Sequence, residues 1–319
     1  MRLHPFVFGM ISLAALSSRA DILGGPPATG VSATEEVIVA APEPKYVAPT
    51  LRDRIGRVWA PVFINGHGPF RLVLDTGANS TAITQSVALQ VGAPILASTM
   101  RVLGVTGSSV VPSMHVESIE VGDLWLDRRR LAIVEDVFGG AEGVLGADGL
   151  SDKRITIDFT NGEIAIEYAR GRTRAAGFTR IRAQIRDRHL LLFDVKVAGV
   201  RTKAMLDTGA QTTIGNGSLR KVLARRFRGG AANSIVGVTL DVQEGHTFAA
   251  PPVTIGKVTV RGMRVTFADF HIFDAWDMDD EPALLIGMDV IGLLDALIID
   301  YKHQELHLRA LAADDSGGR

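Results

Sequence analysis

Two aspartates carry the chemistry that this sequence offers. Asp75 closes the run Phe70-Arg71-Leu72-Val73-Leu74, Asp207 closes Lys203-Ala204-Met205-Leu206, and each is followed by Thr-Gly-Ala. A single aspartate after a strand is an ordinary turn residue and, being acidic and well solvated, a poor base. Two carboxylates within hydrogen-bonding reach behave differently, because like charges so close cannot both ionise cheaply. They share one proton and present an acid and a base to the same water. Such a pair can hydrolyse a peptide bond without a metal, cofactor or covalent intermediate. The glycine of each tripeptide allows a tight turn and a close amide-to-carboxylate contact, and the threonine hydroxyl can donate from one loop to the other.

A repeat must bring the two aspartates together. Asp75 and Asp207 stand 132 residues apart, and at that offset, give or take two, further segments correspond in the same order. Val102-Leu103-Gly104-Val105-Thr106 answers Ile235-Val236-Gly237-Val238-Thr239, and Ile119-Glu120-Val121-Gly122 answers Val253-Thr254-Ile255-Gly256. Beyond these the offset grows. Val144-Leu145-Gly146-Ala147-Asp148 matches Leu285-Ile286-Gly287-Met288-Asp289, and Ile157-Asp158-Phe159 matches Ile299-Asp300-Tyr301. The second copy therefore carries an insertion, assigned to the acidic segment Asp269 to Glu281. The chain reads as a duplicated half of domain size.

Each half is a series of short strands. Val58 to Ile64 and Phe70 to Leu74 flank the turn-rich Asn65-Gly66-His67-Gly68-Pro69, and Leu191 to Val197 and Thr202 to Leu206 flank Ala198-Gly199-Val200. Both hairpins deliver an aspartate at a strand end. The class expected is mostly β, with two similar lobes and the site between them. The expected divisions are a signal peptide at 1–20, a flexible leader at 21–50, an N-terminal lobe at 51–168, an Arg-rich linker at 169–187, a C-terminal lobe at 188–309 and a tail at 310–319.

In the duplicated Asp-Thr-Gly and the paired apolar-apolar-Gly segments the chain resembles the aspartic proteases over roughly residues 51 to 309. The resemblance implies a bilobal fold in which Asp75 and Asp207 are catalytic, Thr76 and Thr208 interlock, and Gly77 and Gly209 are the loop glycines. Val144-Leu145-Gly146 and Leu285-Ile286-Gly287 would brace the catalytic loops. The closer likeness is to the retropepsin-like proteases of bacteria: Ala78 and Ala210 stand where pepsin-like members carry serine, each half is short, and no tyrosine lies near the expected flap. Loss of that hydroxyl leaves the ionised dyad less stabilised and implies a mildly acidic to near-neutral optimum. Flaps are expected at Leu103 to Ser109, including Gly104, Thr106 and Gly107, and in the second half around Gly237 and Thr239, where a hairpin from Val238 to His246 would turn near Glu244-Gly245. The function implied is an endopeptidase acting on protein or peptide, the alternative being a peptide-binding module of the same fold that has lost turnover.

The remaining features set bounds. Arg2, the apolar stretch Pro5 to Leu16 and Ser18-Arg19-Ala20 have the pattern of a cleaved export signal, so a periplasmic or secreted location is expected, with no membrane span once it is removed. The absence of cysteine excludes a disulfide framework, a thiol nucleophile and a Cys-based metal site. A formal net charge of −1 gives no reason to expect nucleic acid as a partner. No metal is expected, His303 and His307 lacking a third ligand. The arginines between Arg170 and Arg188 read as an exposed, solubilising linker, and the acidic insert as a solvated loop that could alternatively line a subsite. Two complete halves in one chain imply a monomer with pseudo-two-fold symmetry.

Overall fold

The computed structural model describes residues 46–49, 51–52, 57–122, 124–136, 138–187 and 189–310. The signal pattern, most of the 21–50 leader and the tail from 311 lie outside the described residues. The first half runs β1 (Tyr46–Pro49), β2 (Leu51–Arg52), β3 (Val58–Ile64), β4 (His67–Leu74), β5 (Ala82–Thr84), α1 (Gln85–Val91), β6 (Met100–Leu103), β7 (Ser108–Val111), β8 (Ser113–Val121), β9 (Leu124–Val134), β10 (Gly143–Leu145), β11 (Lys153–Asp158) and β12 (Glu163–Tyr168). The second half runs β13 (Thr179–Arg182), β14 (Gln184–Arg186), β15 (Leu190–Val197), β16 (Val200–Leu206), β17 (Ile214–Gly215), α2 (Gly217–Val222), β18 (Arg228–Val236), β19 (Val242–Ala249), β20 (Val253–Ile255) and β21 (Val258–Val260). It continues through β22 (Arg264–Phe267), α3 (His271–Ala275), β23 (Ala283–Ile286), α4 (Met288–Ile291), β24 (Leu294–Asp300) and β25 (Glu305–Ala310).

Local chemistry explains how each aspartate is delivered. Two-residue turns join β3 to β4 through Asn65 and Gly66, at φ 50 and 75, and β15 to β16 through Ala198 and Gly199, at φ 49 and 86. Positive φ at both central residues suits the right-handed twist of the flanking strands. In β3 inward residues alternate with more accessible ones, and Val58, Ala60, Val62 and Ile64 enter the core. β4 ends in three consecutive buried residues, Leu72, Val73 and Leu74, because there the sheet is covered on both faces.

The lobes are built alike. In the first, the order β2-β3-β4-β10-β5-β9-β8 is closed by a further pairing of β3 with β8. In the second, β18-β19-β22-β17-β23-β16-β15-β20-β21 repeats the central arrangement, with β14 added beside β15. A six-stranded sheet ordered β1-β12-β11-β24-β25-β13 joins the halves. This order is a palindrome of equivalent strands, and its centre lies where Thr156 pairs with Ile298. Ile155 pairs with Ile299 and Ile157 with Leu297, as a two-fold axis through that point requires. The fold is mostly β and bilobal, as the sequence predicts.

The repeat begins earlier than the sequence reading placed it. β1, inside the segment read as leader, pairs with β12. Its counterpart β13, inside the Arg-rich linker, pairs with β25, and β14 pairs with β15. The arginines of this stretch alternate with residues that enter the core, Ile181 and Ala183 being buried while Arg180 and Arg182 face outward. The linker proper is therefore the short stretch between β12 and β13. The acidic insert is also more than a solvated loop: it contains α3, and Ile272, Phe273, Trp276 and Met278 are buried under its charged surface. Among the described residues no helix is long and apolar enough to cross a membrane.

Candidate active site

Asp75 and Asp207 follow directly on β4 and β16, and the structure brings them together. β10 runs parallel to β4, with Leu145 beside Leu74, and β23 runs parallel to β16, with Ile286 beside Leu206. The Asp75 amide donates to the Leu145 carbonyl and the Asp207 amide to the Ile286 carbonyl, both at 3.0 Å. The two segments predicted to brace the loops thus hold the first peptide of each one.

The loops then lock across the lobe boundary. The Thr76 hydroxyl donates to the Leu206 carbonyl at 2.8 Å, and the Thr208 hydroxyl to the Leu74 carbonyl at 2.6 Å. Each hydroxyl also accepts from the opposite backbone, Thr76 N to Thr208 Oγ1 at 3.2 Å and Thr208 N to Thr76 Oγ1 at 3.1 Å. All four bonds are buried, so neither lobe can withdraw without stranding polar groups in the interior.

Within each loop two amides hold one carboxylate oxygen. Gly77 N and Ala78 N donate to Asp75 Oδ1, each at 2.9 Å, and Gly209 N and Ala210 N donate to Asp207 Oδ1 at 2.8 and 3.1 Å. The two carboxyls hydrogen-bond to each other through their side chains. Glycine is required by this proximity. A Cβ on Gly209 would lie 2.4 Å from Asp75 Cγ, and one on Gly77 would lie 2.7 Å from Asp207 Oδ2. Burial pushes the Asp75 carboxyl up, against the hydrogen bond from Asp207, those of its loop amides and the Arg57 charge. Asp207 is pushed well above the usual carboxylate range by burial and then by the negative charge of Asp75. Two such groups hold one proton between them more readily than they ionise together.

A second layer behind the loops was not assigned a role from the sequence. Thr81 Oγ1 accepts from Gly146 N at 3.2 Å and donates to Asp148 Oδ1 at 2.9 Å. Thr213 Oγ1 accepts from Gly287 N at 3.1 Å and donates to Asp289 Oδ1 at 2.7 Å. The clue was available, since Asp148 and Asp289 end the matched segments and Thr81 and Thr213 stand equally far beyond the two aspartates. Burial pushes Asp148 up to about 6 and also raises Asp289. Gly146 and Gly287 pack against the backbone of Ser80 and Thr212, which a side chain there would strike.

Above the carboxyls lies a cleft of about 550 Å³ lined by both loops and by two hairpins. β6 and β7 form the first hairpin, with Gly104 N donating to the Gly107 carbonyl at 2.8 Å across its tip. β18 and β19 form the second, closed by Gly237 N to the Asp241 carbonyl at 3.2 Å. The tip is thus at Gly237 to Asp241 and not at Glu244-Gly245, both of which lie within β19. Gly245 serves a close approach instead, since a Cβ there would lie 2.8 Å from the Phe267 carbonyl oxygen of β22. The tips meet: Gly104 packs against Val238 and Thr239, Gly107 against Asp241, and Gly237 against Thr106. Leu103, Phe138 and Val144 line the cleft from one lobe, and Ile214, Ile272, Trp276 and Leu285 from the other. α3 of the insert therefore forms part of the cleft wall. His303 and His307 belong elsewhere, beside Asp300 and Glu305.

Residues 60–152 match the family described as "gag-polyprotein putative aspartyl protease", and residues 193–290 match the family described as "Aspartyl protease". No curated protein matches the chain significantly. One match falls in each lobe and each contains one Asp-Thr-Gly loop, and the chain belongs to the retropepsin-like aspartyl proteases, with two such domains in tandem.

Proposed function

We propose that the protein is an aspartic endopeptidase in which Asp75 and Asp207 of one chain activate a single water. The reading rests above all on the reciprocal Thr76–Thr208 network, which presents two carboxyls to each other from opposite lobes. With one proton shared, the ionised carboxyl takes a proton from the water as its oxygen attacks the peptide carbonyl, and the protonated one donates to the carbonyl oxygen. The tetrahedral intermediate collapses when the amide nitrogen receives a proton and the C–N bond breaks. The Gly77, Ala78, Gly209 and Ala210 amides keep the carboxyls fixed during these transfers.

An extended peptide suits the cleft, because paired hairpins over a floor of two loops leave an elongated space with apolar walls. The hairpins act as flaps that part for entry and close over the substrate to exclude water. Both carboxyls come from one chain, so the enzyme works as a monomer. Its export to the periplasm or exterior follows from the N-terminal pattern of the sequence. A mixed peptide library digested between pH 4 and 8 and read by mass spectrometry tests the reading. Discrete cuts suppressed by a statine-type inhibitor are expected; folded protein that binds peptides and leaves them uncut would overturn it in favour of a binding module.

A further inference from the structure

Position 189 stands eighteen residues before Asp207, and position 57 stands eighteen before Asp75. The two are equivalent in the repeat, each immediately before the first strand of the hairpin that delivers its aspartate, and both are buried, Arg57 at 7% and His189 at 3% exposure. Arg57 carries a permanent charge, lines the cleft and donates to the Phe138 carbonyl. His189 comes from the second lobe and reaches into the first. Its Nε2 lies 3.1 Å from the carbonyl oxygen of Gly77, in the Asp75 loop, and its Nδ1 lies 2.8 Å from the carbonyl oxygen of Asp187.

Both ring nitrogens thus face acceptors. A neutral imidazole has one N–H and can satisfy one of them. With that proton on Nδ1, facing the nearer carbonyl of Asp187, the Nε2 lone pair is directed at the Gly77 oxygen. Protonation turns this repulsion into a charge-assisted donation. We infer that His189 is a positioning residue for the Asp75 loop, gripping the Gly77 carbonyl from the opposite lobe only when its ring is an imidazolium. The charged groups acting on the ring are the carboxylates of Asp187, on its own turn, and Asp75, on the loop it faces. Burial outweighs both and holds its pKa below the ordinary histidine range, so the grip forms on the acid side of neutrality. Its consequence for turnover rests on the aspartic-protease reading; the contact itself does not.

The test is ¹⁵N NMR of the His189 ring together with the Gly77 carbonyl ¹³C shift, titrated from pH 8 to 4 in the full chain, alongside hydrogen exchange of the Gly77 and Ala78 amides in wild type and His189→Gln. One step is expected, in which Nε2 gains its proton, the Gly77 carbonyl shifts with it, and exchange protection, corrected for intrinsic rate, rises roughly tenfold. The Gln variant should show no step. A ring already protonated on Nε2 at pH 8, one that stays neutral to pH 4, or a variant that follows wild type overturns the inference. Should His189→Gln fail to fold, the wild-type titration decides alone. Protein that shows the coupled step and cuts no peptide overturns the protease reading and leaves the grip standing; protein that cuts peptides without the step does the reverse.

Discussion

Gly209→Ala perturbs the site by one methyl group placed against the opposite carboxyl. The added Cβ would lie 2.4 Å from Asp75 Cγ, 2.5 Å from Oδ2 and 2.8 Å from Oδ1. Ordinary contact between such atoms begins near ~3.5 Å, so one side must retreat by about 1 Å. The backbone of Gly209 cannot yield freely, since its amide holds Asp207 Oδ1 at 2.8 Å and its neighbour Thr208 is locked to Leu74. The Asp75 carboxyl therefore moves and loses its alignment with Asp207. A displacement of about 1 Å at reacting groups costs on the order of a hundredfold in rate, and the overpacking costs about 1–3 kcal/mol of stability. Gly209 does not occupy the left-handed region, so steric contact is the whole effect. Steady-state kinetics on one cleaved peptide and thermal melting provide the readout, with Gly171→Ala, which meets nothing within 4 Å, as the control. A Gly209→Ala enzyme with kcat within twofold of wild type and an unchanged melting temperature would refute the packing account.

Thr208→Val keeps the shape and removes the hydroxyl, stranding the Thr76 amide and a Leu74 carbonyl bond in the interior. At about 1–3 kcal/mol for each of the two orphaned groups, a loss of roughly 2–6 kcal/mol is expected by urea unfolding, and a loss under ~0.5 kcal/mol would contradict the lock. Asp148 has its folded pKa raised from 3.8 to about 6, so the stability it contributes is full below 3.8 and lost as the pH rises through 6. Asp148→Asn should flatten the stability profile across that window; unaltered curvature argues against it. Ala78→Ser and Ala210→Ser together offer a hydroxyl to the ionised dyad and should move the pH–rate optimum acidward, whereas an unmoved optimum would show that the hydroxyl does not tune the pair.

What could be read from the sequence was what is written in local pattern. Asp-Thr-Gly-Ala, its recurrence, and the two apolar-apolar-Gly segments are contiguous, so the lobes, the loops and their bracing strands followed directly. Strands whose pairing is decided by distant partners did not. Arg180-Ile181-Arg182-Ala183 alternates as a strand should, yet its charge concealed a core face that exists only because β25 lies beside it. Glycine was ambiguous in the second hairpin: Gly237 marks the tip and Gly245 a close backbone approach, and only the β19–β22 register separates the two. Thr81, Thr213 and His189 act through bonds to other segments, and their matched spacing was the one sign in the sequence.

The central claim, that one chain supplies both carboxyls to one water, is tested most directly by assaying Asp75→Asn and Asp207→Asn on the same peptide, each alone and then mixed in equal amounts. Each variant alone should lose activity by a factor on the order of a thousand or more, and the mixture should stay as inactive as its parts. Activity retained by either variant, or regained on mixing through lobes paired between chains, would contradict it.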